Sequence, residues 1–140
     1  MDLPSEDITH WLRSFSTAVR DQDFKAGKLL FDGRVVSFGT VCVRAENLDE
    51  LESHQWRSVW PNTRDFEFDY TATRVLVEAG QTVVLTHWSS TGLTGDDQPF
   101  QRRGRATLVL RKDASQWKAI HTHFSIEPMS KHDPLFRQGA

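Results

Sequence analysis

The chain has 140 residues, of which 38% are hydrophobic, and its formal net charge at pH 7 is −2. That length suits one domain with one core, and the small net charge excludes a general electrostatic attraction to nucleic acid or to an anionic membrane. A single cysteine, Cys42, excludes an intrachain disulfide, and since no signal peptide or membrane-length apolar run is visible, we predict a cytoplasmic protein.

The N-terminal third of the chain predicts helices. Ser5 or Asp7 is a typical helix cap, and an apolar stripe with helical spacing follows at Ile8, Trp11, Leu12, Phe15, Ala18 and Val19. A shorter helical run begins near Asp23 and ends before the turn at Asp32-Gly33. One short strand is predicted within 34–43, with a bend at Gly39, and a third helix runs from Asn47 to Pro61.

The remainder of the chain predicts strands. The segment 65–78 is read as one strand that turns at 79–81 into a second strand over 82–91. After a polar loop, the stretch 102–128 forms a long β-hairpin. Helices followed by a four-strand antiparallel meander define the α+β class. We predict one domain over 1–128 and an irregular C-terminal tail over 129–140.

The two faces of the hairpin differ in chemistry, because successive side chains of a strand point to opposite faces. One face is mostly apolar and carries Leu108, Leu110, Ile120, Thr122 and Phe124. The other face is mixed and carries Arg105, Thr107, His121, His123 and Ser125.

Four segments carry a family resemblance: FGT at 38–40, WSSTG at 88–92, RRGRATLVLR at 102–111 and W-x-x-x-H-x-H-F-S at 117–125. With this layout, the chain resembles the nuclear transport factor 2-like (NTF2-like) superfamily over about residues 5–128, and within it the SnoaL-like group. The resemblance implies a cone-shaped α+β fold with N-terminal helices packed on a curved antiparallel sheet. It also implies a homodimer joined through the outer, mixed face.

The superfamily includes isomerases, cyclases, dehydratases, carriers and assembly domains, so the resemblance indicates the fold better than the function. Alignment with its ketosteroid isomerases puts Phe15 at the position of their catalytic tyrosine and Phe38 at that of their general-base aspartate. The hairpin also resembles the association (hub) domain of calcium/calmodulin-dependent kinase II, whose pocket arginines correspond to Leu108 and Phe124. The implied pocket is therefore more apolar than that of either relative.

An aromatic-lined pocket is the main functional prediction. The expected ligand-binding residues are Phe15, Trp56, Trp60, Trp88, Leu108, Thr122 and Phe124. Such a lining suits a flat apolar compound such as a polyketide, a steroid-like molecule or an aromatic compound. The alternative is that the same side chains fill a closed core.

Three further groups of residues carry weaker signals. His121 and His123 point the same way and, with His87, are able to hold a divalent metal, although a polar dimer interface explains them better. His87, Asp65, Glu67 and Asp69 are candidates for acid–base catalysis, with His87 the one we single out. The basic cluster Arg102, Arg103, Arg105 and Lys112 is read as a solvated strand start rather than a phosphate site.

Together these observations predict a ligand-binding protein, with isomerase-, cyclase- or dehydratase-type acid–base chemistry as its possible activity. A non-catalytic dimerisation or assembly module is the alternative. No cofactor, metal, nucleic acid or membrane partner is predicted.

Overall fold

The computed structural model describes residues 1–135 and places the helices before most of the strands. The helices are α1 (Glu6–Asp21), α2 (Phe24–Lys28), α3 (Leu48–Leu51) and α4 (Arg57–Val59). A π-helical turn (Glu52–Trp56) joins α3 to α4, and a 3-10 turn (Trp60–Asn62) follows α4. The strands are β1 (Phe31–Phe38), β2 (Thr63–Phe68), β3 (Arg74–Glu78), β4 (Gln81–Leu93), β5 (Pro99–Asp113) and β6 (Gln116–Ile126).

Helix α1 has the ends and the buried stripe that its sequence predicts. The Ser5 side chain accepts a hydrogen bond from the Ile8 amide, and Gln22 ends the helix in a left-handed conformation, with φ of 52°. All six residues of the predicted stripe are buried. Because this stripe is buried and the polar side of the helix faces water, the orientation of α1 about its own axis is fixed.

The strands form a single six-stranded sheet in the order β1-β6-β5-β4-β2, and β3 pairs with β4 beyond that path. Strands β4, β5 and β6 pair antiparallel along their length, as predicted. Strand β1 pairs parallel with β6, so the sheet is mixed rather than a pure meander. Contacts of α1 with β2 and β6 and of α3 with β1 place helices against one face, here called the inner face.

The prediction of one strand over 65–78 is wrong, because the segment divides into β2 and β3. The Asp69 carboxylate accepts hydrogen bonds from the amides of Thr71 and Ala72, which closes a turn between the two strands. Strand β2 then pairs with the C-terminal half of β4, from Trp88 to Gly92, while β3 pairs with its N-terminal half.

The predicted faces of the hairpin are wrong near Ile120, because β6 contains a β-bulge there. Leu110 pairs with Ala119 but its neighbour Val109 pairs with His121, so Ile120 is an extra residue. Ala119 is completely buried, and Ile120, predicted for the inner face, is half-buried. Beyond the bulge the predicted alternation holds, because Thr122 is buried and His123 is exposed.

No helix in the part of the chain that the structure describes is long and apolar enough to cross a membrane. After Ile126, residues 127–135 form neither helix nor strand. The predicted irregular tail over 129–140 lies partly outside the described residues, since 136–140 are not among them.

Candidate ligand-binding site

A cavity lies between the inner face of the sheet and the helices. Its aromatic lining comes from α1, β1, the 52–62 helical segment and strands β2, β4 and β6. The aromatic residues of the lining are Phe15, Phe31, Phe38, Trp56, Trp60, Phe66, Trp88 and Phe124, of which Phe38 turns its ring towards His121 and His123. The aliphatic side chains Val19, Leu51 and Val59 complete the apolar part of the wall.

Phe15 is the centre of this aromatic wall. Its ring lies 5.6–6.2 Å, between centroids, from the rings of Trp11, Phe31, Trp56, Trp60, Phe66, Phe68 and Phe124. The indoles of Trp56 and Trp60 stack on each other at 4.6 Å. The wall is therefore held in place by its own ring contacts, with the geometry that aromatic pairs favour.

The cavity is small, with a volume of about 60 Å³. An apolar cavity of about 150 Å³ binds benzene, so this cavity accepts a ligand of only a few non-hydrogen atoms. Pockets for drug-sized ligands measure about 300–1,000 Å³. A polyketide or steroid-like compound, as expected from the sequence, is too large for the cavity in this conformation.

The structure brings most of the predicted ligand-binding residues together. Of the predicted set, Phe15, Trp56, Trp60, Trp88, Thr122 and Phe124 all line the cavity. Leu108 is completely buried in the core and does not line it.

One end of the cavity is polar, and sequence reasoning missed it. Arg102, Thr40, Ser90 and Gln55 lie there. Arg102 was read as part of a solvated strand start, but its side chain is half-buried against the cavity. Its position in β5 contained the signal, because Arg102 has the same even-numbered parity as the buried Ala106 and Leu108.

Gln55 fixes the chain at this polar end. Its Oε1 accepts hydrogen bonds from the amides of Val41 and Cys42, at 2.9 and 2.7 Å. Its Nε2 donates to Thr40 Oγ1 at 2.9 Å. A side chain at position 39 has no room, since a Cβ on Gly39 would lie 2.4 Å from Gln55 Oε1. The loop after β1 is therefore locked against the π-helical turn.

The acid–base candidates do not lie in the cavity. His87, Asp65 and Asp69 are exposed, and His87 and Asp69 line a separate groove on the sheet surface. Glu67 is half-buried, and burial acts to raise its pKa. Hydrogen bonds from the Tyr70 hydroxyl, at 2.5 Å, and from the Phe68 amide, at 3.1 Å, act together with the nearby charge of Arg20 to leave the pKa of Glu67 below its ordinary value.

Tyr70, which donates this hydrogen bond to Glu67, keeps its proton. Burial, followed by the hydrogen bond to Glu67, raises the pKa of Tyr70 to about 12. The Arg13 guanidinium lies 4.3 Å above the Tyr70 ring centroid. This group of residues therefore joins α1 to β2 with fixed charges, which suits a structural role better than proton transfer.

The histidines lie on the outer face of the sheet. His121 Nδ1 is 2.6 Å from the Val36 carbonyl oxygen, and the rings of His121 and His123 both meet the Phe38 ring edge-on. His87 is on β4, two strands from β6 and so about 10 Å away. Within residues 1–135 no cluster of three or more His, Cys, Asp or Glu side chains has the geometry of a metal site.

The residues predicted for a dimer interface share the outer face. Arg105 pairs with Ser125 and Thr107 pairs with His123 across β5 and β6. Arg105 and His123 are exposed, while Thr107, Ser125 and His121 are half-buried. The structure thus places these five residues on one continuous surface.

Comparisons with known proteins agree on the fold. The family model for the SnoaL-like domain matches residues 8–129. An NTF2-like superfamily protein from Salmonella enterica serovar Typhimurium is 16% identical, with a TM-score of 0.78, over 92% of this chain and 94% of that one. A ketosteroid isomerase-like protein from Erwinia carotovora atroseptica is 20% identical, with a TM-score of 0.74, over 87% and 95% of the respective chains.

A third solved structure, the calcium/calmodulin-dependent kinase II hub of S. rosetta, is 21% identical, with a TM-score of 0.73, over 89% of this chain and 97% of that one. A search of curated proteins found no match. Likenesses at such low identity establish the fold and leave activity open. They confirm the predicted α+β cone and the resemblances on which it was based.

Proposed function

We propose, from the premise that this chain belongs to the SnoaL-like domain family, that it binds a small, largely apolar molecule in the cavity. The observation that supports this best is the composition of the wall, since eight aromatic residues line a space that also has a polar end. Apolar concave sites with a few convergent polar groups are the usual form of small-molecule sites.

Catalysis by a side chain of the cavity has less support. Phe15 and Phe38, which the resemblance aligns with the tyrosine and the aspartate of the ketosteroid isomerases, are both among the lining residues, and neither is able to transfer a proton. Among the described residues of the lining, Arg102 is the one titratable group, and an arginine stays protonated at neutral pH. An isomerase, cyclase or dehydratase reaction here needs its acid or base from the ligand or from water.

Ligand binding is tested by filling the cavity. Val59 is a half-buried lining residue on α4, so Val59→Phe adds a ring at the wall without removing a hydrogen bond. We expect the wild-type protein to be stabilised in a thermal-shift screen of small carbonyl compounds, aromatic fragments and short acids. A ligand at a hundred times its Kd stabilises by about 2.7 kcal/mol. Val59→Phe should abolish that stabilisation.

The matched control is Val77→Phe on β3, where the side chain is 60% exposed and far from the lining. It should respond to the same compounds as the wild-type protein. Equal responses of both variants and the wild type would place the binding elsewhere. No response of the wild type to any compound would favour the alternative, an assembly module.

We further propose that the protein is a cytosolic homodimer joined through the outer face at Arg105, Thr107, His121, His123 and Ser125. The half-buried Val83, Leu85 and Val109 give this face an apolar portion, and the family resemblance implies this mode of pairing. The structural neighbours include a kinase hub, which supports association in general.

If the protein is a dimer, one substitution in the proposed interface should halve its mass in solution. Thr107→Arg adds a long charged side chain in the middle of the proposed interface, and a buried unpaired charge is costly. Sedimentation should show the mass of a dimer for the wild-type protein and half that mass for Thr107→Arg. Gln101→Arg, at the exposed end of β5, should remain dimeric. A wild-type protein that sediments as a monomer contradicts the proposal.

A further inference from the structure

Two residues of the polar end lie directly opposite each other on the neighbouring strands β4 and β5. Ser90 of β4 is the register partner of Arg102 of β5. Side chains of directly opposite residues point to the same face, with their Cβ atoms about 4.5–5.5 Å apart. Both residues line the cavity, so a hydroxyl and a guanidinium lie side by side in its wall.

Arg102 is a cation without a counter-ion. Its guanidinium donates a long hydrogen bond, 3.4 Å, to Thr40 Oγ1 and lies 5.8 Å from the Trp88 ring centroid. No carboxylate of residues 1–135 forms an ion pair with it, whereas the exposed Arg20 pairs with Glu67. Because burial removes part of the water around the charge, the pKa of Arg102 is lowered below its ordinary value.

Ser90 has a hydroxyl without a partner. The residue is 3% exposed, and among the described residues its Oγ has no hydrogen-bond partner. Buried hydroxyl groups of this kind are uncommon, because leaving one unpaired costs about 1–3 kcal/mol. Ser16 has the other unpartnered buried hydroxyl among the described residues, but Ser90 alone of the two lines the cavity, where its hydroxyl is free to bond a ligand.

Thr40 completes a set of donors. Its Oγ1 accepts hydrogen bonds from Gln55 and from Arg102, so its own proton remains to be donated. The polar end therefore offers N–H groups of Arg102 and O–H groups of Ser90 and Thr40. A ligand group that matches these donors accepts hydrogen bonds and carries a negative charge.

The Arg102 side chain packs against Gly92, where the absence of a side chain leaves room for it. A Cβ on Gly92 would lie 2.7 Å from Arg102 Cδ and 2.6 Å from Phe100 Cζ. The aliphatic part of Arg102 consequently lies against the bare backbone of β4, and the Phe100 ring covers the same glycine. The guanidinium is thus directed by packing rather than by an ion pair.

We propose that the cavity binds a short-chain carboxylic acid, with its carboxylate paired to Arg102 and hydrogen-bonded by Ser90 and Thr40, and its apolar part among the aromatic rings. This inference rests on the proposed ligand-binding function and specifies the class of ligand. A carboxylate fits because it accepts up to about four hydrogen bonds and pairs with guanidinium in a planar geometry. The cavity volume of about 60 Å³ limits the acid to a few carbon atoms.

The test compares acids with neutral molecules of the same shape. Acetate, propionate and isobutyrate, which match the small cavity, are each titrated calorimetrically against the wild-type protein, beside acetamide, propionamide and isobutyramide. We expect at least one acid to bind, and to bind roughly ten- to a hundred-fold more tightly than its amide, the range expected for hydrogen bonds to a charged group.

Two variants then test whether Arg102 is the cation that binds the carboxylate. Arg102→Met keeps a long apolar side chain but removes the cation, and it should reduce the affinity for the acid to that for the amide. Arg103→Met is the matched control, because Arg103 is the next residue of β5 and is exposed on the opposite face. It should bind the acid as the wild type does.

Ser90→Ala keeps the proposal testable if Arg102→Met does not fold. Because the Ser90 hydroxyl has no partner, its removal should leave the melting temperature of the free protein unchanged or higher. The same variant should bind the acid several-fold more weakly, a loss that a purely structural serine would not produce.

Three results separate the two levels of the proposal. Equal affinities for acids and amides, with no loss in Arg102→Met or Ser90→Ala, overturn the carboxylate assignment and leave the apolar ligand site standing. Binding of none of the six compounds, together with an unresponsive thermal-shift screen, overturns both. Both are supported by selective binding of an acid if Arg102→Met reduces its affinity to that of the amide, Ser90→Ala weakens it and Arg103→Met leaves it unchanged.

Discussion

Replacing Phe15 by alanine should destabilise the protein by about 3–5 kcal/mol, the range found when a buried phenylalanine is truncated. Phe15 is 3% exposed and lies within ring-contact distance of aromatic side chains from α1, β1, β2, β6 and the 52–62 helical segment. Its removal therefore loosens most elements of the cavity wall at once. Urea unfolding followed by tryptophan fluorescence measures the change.

Phe100→Ala is the appropriate comparison for Phe15→Ala, because it removes the same side chain at a position that is 45% exposed. Phe100→Ala should lower the free energy of unfolding by about 0.5 kcal/mol, as for surface positions in general. Similar costs for the two variants would show that the rings around Phe15 repack over the space it leaves.

Gly104→Ala should also be severely destabilising, although it adds a single methyl group. An added Cβ would lie 1.9 Å from the Ser125 carbonyl oxygen of β6 and 2.5 Å from Trp88 Cζ2. The indole can turn, but the carbonyl moves only if β6 separates from β5. Overpacking costs about 1–3 kcal/mol or more, and here we expect the upper end or a failure to fold.

Gly33→Ala provides the control for Gly104→Ala, since a Cβ there meets nothing within 4 Å and its backbone is not left-handed. That variant should be neutral or more stable by up to about 1 kcal/mol, because alanine restricts the unfolded chain. Circular dichroism and urea midpoints of the two variants give the comparison. Equal midpoints would mean that the β5–β6 pair tolerates local separation at Gly104.

The sequence allowed the helical face of α1 and the outline of the β5–β6 hairpin to be predicted, because both depend on local periodicity. The apolar stripe from Ile8 to Val19 repeats at helical spacing, and every member is buried. Leu108 and Leu110 alternate with more exposed residues and are completely buried. Periodicity of this kind needs no knowledge of the partner elements.

The features that sequence reasoning missed depend on partners or on single side chains. The parallel pairing of β1 with β6 joins residues such as Phe38 and His123, which no local pattern relates. The split at Asp69 depends on one carboxylate that closes a turn. The bulge at Ile120 shifts the register of β6 by one residue, which alternation alone cannot reveal.

For the site, composition identified the aromatic wall but misled at its polar end. Arg102 stands beside Arg103 and near Arg105, so the three were interpreted together as a solvated cluster. Alternation separates them: Arg103 and Arg105 are exposed on the outer face, and Arg102 lies against the cavity. The unpartnered Ser90 hydroxyl depends on surrounding packing and has no signature in the sequence.

The parallel pairing of β1 with β6 also bears on how the chain reaches its native state. Strand β1 finds its partner about eighty-five residues later, where the Ser37 and Thr122 hydroxyls meet at 2.7 Å with a sequence separation of 85. Pairings of such separation slow folding, because the ends of a long loop must meet before any contact stabilises them. During synthesis β1 therefore emerges long before β6, and the edge that β6 covers in the native sheet stays exposed until the end of the domain has been made.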